Sequence, residues 1–310
     1  MGSPSSSSPG SSPDAARTGA VDAVSLPASV LDRYRRFTLY NSPYPAHDAG
    51  HAVDLYLDDN RGRSPVAGVV RATRTVTAPS KPYAVEHDHL IVLDVDPAWA
   101  RAAGFAGGDD PGLVARVLHV DPDVEPGESV AVGDSLGEMV RSGFFAPWVD
   151  NHVHLGFRRG DQNPYRASGS LRVEADVPVA ALPWDGTGRV ADAGETYVVL
   201  DAPAHPAPGE RFVAVATDDG RPLDGGLPHY DFGGVLDGGA GAVSLLGTRL
   251  GVADDRTVAW DDLTVTANGE QVTGLSLFAA RDDAFGAKLV CPGHEFALGD
   301  RVEIGLTRDD

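Results

Sequence analysis

The sequence predicts an all-β protein of two modules, and three observations carry that expectation. Short runs rich in β-branched residues recur along the chain, each bounded by Gly, Pro or Asp, the residues that end strands and supply turns. Helical patterning is confined to two places, "LPASVLDRYRRFTLY" and "DPAWARAAGFAGGDDPG". With 310 residues, 42% of them hydrophobic, the chain is long enough for two domains of ordinary size.

In chain order, residues 1–20 read as a disordered Ser/Pro/Gly tail, too polar to bury a core. The first module, residues 21–160, opens with a short helix whose apolar positions are Leu26, Val30, Leu31 and Tyr34. Strands follow in "HAVDLYL", "SPVAGVVRATRTVTAP", "DHLIVLDVD", "LVARVLHVD", "ESVAVGDSLGEMV" and "NHVHLGF", interrupted by one turn of helix and a loop in "DPAWARAAGF". The polar stretch "RRGDQNPYRASG" reads as the seam. Beyond it, residues 168–310 form a second β-sandwich or barrel, from "SLRVEADVPVAAL" to "RVEIGLT", with turns at "DDG", "DGG" and "ANGE".

Composition excludes several function classes. The formal net charge is −20; aspartate far outnumbers glutamate, and Lys81 and Lys288 are the only lysines. Such a surface, haloarchaeal in character, suits strong brine, where screening collapses self-repulsion, so the acidity requires no basic partner. Nucleic acid is not expected, because "RYRR" and "FRR" are too short to neutralise a phosphate backbone. A single cysteine, Cys291, rules out an internal disulfide and reads as a small apolar filler. No bilayer-length apolar run and no export signal is visible, so the expected location is a high-salt cytoplasm without membrane partners. "DGGAGAVSLLG" lacks the spacing of a nucleotide loop, and no G-x-S-x-G elbow occurs.

The histidines remain. In a strand, residues i and i+2 share a face, so His152 and His154 of "NHVHLGFRR" project side by side. His119 precedes the hairpin "VEPGESVAVGDSLGEMV", while His47, His51 and Asp54 lie together in "AHDAGHAVDLY". His and carboxylate are the ligands zinc prefers, and a catalytic site leaves one position open for water. Taken singly, each residue has an ordinary structural role: a surface pair, a half-buried strand histidine, an acceptor of backbone N–H groups. His87 and His89 read as a solvated strand start, and His229 and Asp231 of "LPHYDFGGV" as a turn or an approach to the first module's cleft. The V-x-x-G-x-x-V-x-x-G-D hairpin is also that of lipoyl and biotin carriers, but no lysine sits at its tip.

The order of these features from Tyr44 to Arg158 resembles the lysostaphin/LytM-type zinc endopeptidases, which run from an H-x-x-x-D strand through a histidine and a "V..Gd.V..Gq.iG" hairpin to a closing H-x-H strand. The resemblance implies a duplicated-hybrid-motif, barrel-sandwich-like domain that binds Zn2+ and hydrolyses a peptide or other amide. It makes Asp54 and His154 zinc ligands, and His119 and His152 catalytic. This chain departs from the pattern at the first ligand, where Gly50 stands four residues before Asp54. His51, three before, supplies the ligand if a bulge re-aims it; His47, seven before, is the alternative if the "DAG" turn folds inward. The alternative function, for which Gly50 speaks, is a catalytically inactive descendant acting as a binding or assembly module. A third reading is carbohydrate binding through the C-terminal sheet with Tyr230 and Trp260.

Overall fold

The computed structural model describes residues 23–105 and 112–309, so the expected tail lies outside the described residues. The chain is all-β and two-module. Among the described residues, helix is limited to Ala28–Leu31 and Pro97–Ala102. The second begins where the Asp96 side chain accepts from the Ala98 and Trp99 N–H groups, with Pro97 in the first turn. The first is only one turn of the expected segment: Leu26 lies on the strand Ala23–Pro27, and Arg36–Thr38 is again a strand.

One ten-stranded sheet organises the molecule. In spatial order it runs Val179–Leu182, Phe212–Val215, Ala279–Ala280, Arg36–Thr38, Ala52–Tyr56, Val153–Arg159, Leu113–Leu118, His87–Val95, Gly68–Thr77 and Ser129–Val130. Alternation sends Val53, Leu55, Ile91, Leu93, Ala115, Val117, Val153, Leu155 and Phe157 to one face, where they join the first hydrophobic core. The opposite face carries Asp54, His154 and Arg116, brought level by the pairings His154↔Asp54, His154↔Leu118 and Gly156↔Arg116. A second core, from Val190 to Leu306, lies within the C-terminal module and its twelve-stranded sheet.

The boundary between modules falls later than the polar seam. The strand Arg172–Asp176 pairs in parallel with Ala23–Pro27, and Leu171 and Val173 enter the first core. The sequence could not reveal this, because the two pairing partners lie at opposite ends of the first module. The second module is not detached either, since three of its strands extend the first module's sheet. Tyr230 is buried, and Trp260 lies over Gly233, where an added Cβ would stand 1.8 Å from the indole. Tyr230 is therefore not the exposed ring that the carbohydrate reading needs, and Trp260 is half-buried.

Polar clamps join the modules, and those built on Asp224 and Lys288 are both buried. Asp224, on the strand Leu223–Leu227, is fully buried; its carboxylate accepts from the Thr38 hydroxyl, from Leu39 N–H at 2.6 Å and from Tyr40 N–H at 3.2 Å. Lys288 donates to the Trp148 carbonyl at 2.7 Å and stands 3.6 Å from Asp150, which also receives Arg36 at 2.6 Å.

Two outcomes follow from these clamps. Asp224→Ala strands three buried donors, so denaturant unfolding should show a loss of roughly 3–5 kcal/mol, with Asp224→Asn milder. Burial, partly offset by Asp150, pushes Lys288 down to about 8 from its ordinary 10.5. Between about pH 8 and 10 the unfolded lysine still holds the proton that the folded one has released. Stability therefore rises with pH across that window, and Lys288→Met should abolish the rise in a melting-temperature series.

Candidate metal centre

Three side chains converge on one point: His47, Asp54 and His154. Asp54 and His154 are direct neighbours across an antiparallel pair, so their side chains rise from the sheet together, with His154 Nδ1 2.8 Å from Asp54 Oδ1. His47 Nε2 completes the group, 3.2 Å from His154 Nδ1 and 3.4 Å from Asp54 Oδ1.

His47 arrives from a turn. His47 N–H donates to the Tyr44 carbonyl at 2.8 Å, and His51 N–H to Ala46 at 2.8 Å, closing the loop back on itself. Gly50 holds φ +65°, a conformation a side chain would strain, and a Cβ there would meet the Tyr40 hydroxyl at 3.1 Å. The chain therefore reverses at the position that departs from the peptidase pattern, and His47 swings under the sheet. His51, expected as the first ligand, does not join the group: it lines a separate depression with Arg172 and Asp255. No bulge interrupts the pairing of Ala52–Tyr56, so a residue three before Asp54 stays on the other face.

Hydrogen bonding fixes the tautomers. His47 Nδ1 is 2.9 Å from the Leu39 carbonyl, which can only accept, so Nδ1 bears the proton and Nε2 presents its lone pair to Asp54. His152 repeats the arrangement: Nδ1 lies 2.9 Å from the Asp150 carbonyl, and Nε2 lies 3.5 Å from Asp54 Oδ2. His47 Nε2, His152 Nε2 and the Asp54 carboxylate are thus acceptors, and neutral His154 donates its Nδ1–H to Asp54 between them, a proton that a bound metal ion would replace. A proton on His47 Nε2 adds a second donor to Asp54. Burial alone would lower the His47 pKa, but the Asp54 charge and hydrogen bond outweigh that and raise it. Burial brings His152 and His154 down to about 4, with Asp54 only partly offsetting it, so both are neutral near pH 7. Burial would raise the Asp54 pKa, yet the surrounding histidines hold it well below the usual carboxylate range.

His119 stands beside this group, its ring 5.1 Å from that of His152 and 5.6 Å from that of His154. Its backbone holds φ 70°, unusual for a non-glycine residue. Asp88 over-determines the conformation: Oδ1 accepts from His119 N–H at 3.1 Å, and Oδ2 from His119 Nδ1 at 2.5 Å and from the Ser142 hydroxyl at 2.6 Å. Burial opposes the Asp88 charge, but the bonds from His119 and Ser142 outweigh it and hold the carboxyl down to about 2. Sequence reasoning passed over Asp88 in favour of its neighbours. His87 is exposed, and His89 lies 3.4 Å from Asp121. The signal was the alternation in "EHDHLIV", which puts Asp88 on the face of the buried Leu90 and Val92.

The group opens into a cavity of about 350 Å³ whose walls are mostly apolar and aromatic, among them Tyr44, Leu90, Leu118, Phe144 and Phe145. The C-terminal module contributes Tyr230 to the wall. His229 packs beside it, its ring 5.6 Å from that of Trp148. The segment read as a turn or an approach to the cleft thus reaches the cleft wall through Tyr230. Cys291 is buried away from the site, its thiol pushed up to about 11 by burial. Among the described residues no helix is long and apolar enough to cross a membrane.

No curated protein and no solved structure matches the chain. Two family matches divide it much as the structure does. Residues 25–175 match a domain of unknown function, the DUF8155 N-terminal domain, and residues 180–307 match the DUF8155 C-terminal domain. The chain is thus a DUF8155 N-terminal domain followed by a DUF8155 C-terminal domain.

Proposed function

We propose that His47, Asp54 and His154 bind a zinc ion and that the protein is a zinc-dependent amide hydrolase of the lysostaphin-like type. The observation that carries this reading is the convergence of the three ligand atoms at 2.8, 3.2 and 3.4 Å. Ligands held about 2.0–2.2 Å from a tetrahedral zinc stand about 3.3 Å apart, so a small outward relaxation accommodates the ion. The Leu39 carbonyl behind His47 is the outer partner that fixes a ligating imidazole.

When bound, zinc supplies Lewis acidity, acidifying water and polarising a carbonyl. The remaining chemistry belongs to the side chains. His119, with Nδ1–H held by Asp88, accepts a proton at Nε2 from the attacking water and returns it to the leaving nitrogen as the C–N bond breaks. His152 presents the lone pair of a second Nε2 to the same space, where it accepts a hydrogen bond from the attacking water and orients it. The apolar walls exclude bulk water and strengthen each of these interactions. A peptide or another small amide is the substrate class this cavity suits.

Protein purified in high salt should contain one zinc per chain by elemental analysis, and His154→Ala should lose it. Metal-free protein indifferent to that change would leave the catalytically inactive binding module as the better reading. On a panel of small amides, His119→Ala should lower kcat/KM by roughly 10²–10⁴ with zinc content unchanged. Asp88→Asn should fall in the same range, because the wrong His119 tautomer is then favoured.

A further inference from the structure

Arg116 has no use in the site described so far, and its setting is unusual. It is 7% exposed, and its Nε is buried without a partner. Among the described residues no carboxylate or carbonyl meets its guanidinium, although the protein carries a net charge of −20. The charged neighbour that acts on it is another cation, Arg158; burial first and Arg158 second push Arg116 down to about 10. Arg158 itself is 2% exposed and donates to the Arg166 carbonyl at 2.8 Å. Arginine is rarely buried unless paired, because an unpaired buried cation is costly. A partner is therefore missing from the structure's own inventory.

The position says where that partner sits. Arg116 lines the same cavity as His119, Asp54 and His154. It pairs with Gly156, two residues along the strand from His154, so it stands on the same face roughly 7 Å from the metal group. Leu90, Leu118 and Val76 line the cavity between and beside them. A ligand joining the two points has an amide at one end, an anion at the other, and an apolar flank.

Resting on the hydrolase reading above, we propose that Arg116 anchors a substrate carboxylate. The amide cleaved is then one whose amine half ends in a free carboxylate, an N-acyl amino acid or the C-terminus of a short peptide. A lone planar guanidinium matches the two oxygens of a carboxylate in bidentate fashion, and the spacing suits one or two residues. Low local polarity makes the contact worth more than it is in water.

The test separates this anchor from the chemistry. Metal-stripped protein, in which a carboxylate has no ion to coordinate, is titrated with N-benzoylglycine and with its primary amide. The acid should bind at least tenfold more tightly. Arg116→Gln should erase that preference, and Arg116→Lys, which keeps the charge but not the fork, should retain part of it. The melting temperature of Arg116→Gln should not fall, since the change removes an unpaired buried cation. Equal binding of acid and amide, a preference that survives Arg116→Gln, or tighter binding of inorganic phosphate than of the acid would overturn the proposal. So would equally fast cleavage of free and amidated substrates by the zinc-loaded protein, an outcome that leaves the hydrolase reading standing. Discrimination by the metal-free protein without any cleavage by the zinc-loaded one would support the anchor and count against the hydrolase instead.

Discussion

Asp224 holds this molecule in register. A fully buried carboxylate is tolerable only when its oxygens are occupied, and here they take the Thr38 hydroxyl and the N–H groups of Leu39 and Tyr40. Those donors belong to the other module. The Leu39 carbonyl, on the far side of the same peptide segment, receives His47 Nδ1 and aims Nε2 at Asp54. One carboxylate of the second module therefore positions a candidate ligand of the first. The Arg36–Asp150–Lys288 cluster does the same for His152, since Asp150 holds both cations through its carboxylate and His152 Nδ1 through its carbonyl. The second module is part of the site's scaffold, which explains why its strands continue the first module's sheet.

The sheet itself divides labour by alternation. One face is apolar and gives the core its continuity; the other collects His154, Asp54 and Arg116, with His152 and His119 beside them. Charges and imidazoles buried this deeply are expensive, and each is retained by a named partner: Asp88 by His119 and Ser142, Asp54 by three histidines. Arg116, on the same face, lacks one. The left-handed backbone of His119 belongs to the same pattern, a strained conformation held because Asp88 grips both its N–H and its ring.

Much of this was legible along the chain. Period-two patterning placed the strands and put His152 and His154 on one face, and "AHDAGHAVDLY", His119 and "NHVHLGF" are segments that the fold brings together. Legibility failed where the relevant distance is long in sequence. Val173 pairs with Val24 and Asp224 reaches Thr38, so neither the module boundary nor the clamp leaves a local trace. Asp88 was hidden by its histidine neighbours, although the face it shares with Leu90 and Val92 gave it away in principle.

The choice between His47 and His51 shows the division most clearly. The sequence by itself determined that a regular strand cannot bring His51 to the face of Asp54, and that Gly50 stands where the pattern wanted a ligand. It also determined the all-β class, because strand and turn chemistry are local. Only the tertiary structure decided the outcome. The turn that reverses at Gly50 packs against Tyr40, Leu39 is pinned by Asp224, and His47 is left with one direction in which both ring nitrogens are satisfied. Periodicity fixes which face a strand residue occupies. The aim of a loop residue is set by contacts that only the folded chain supplies.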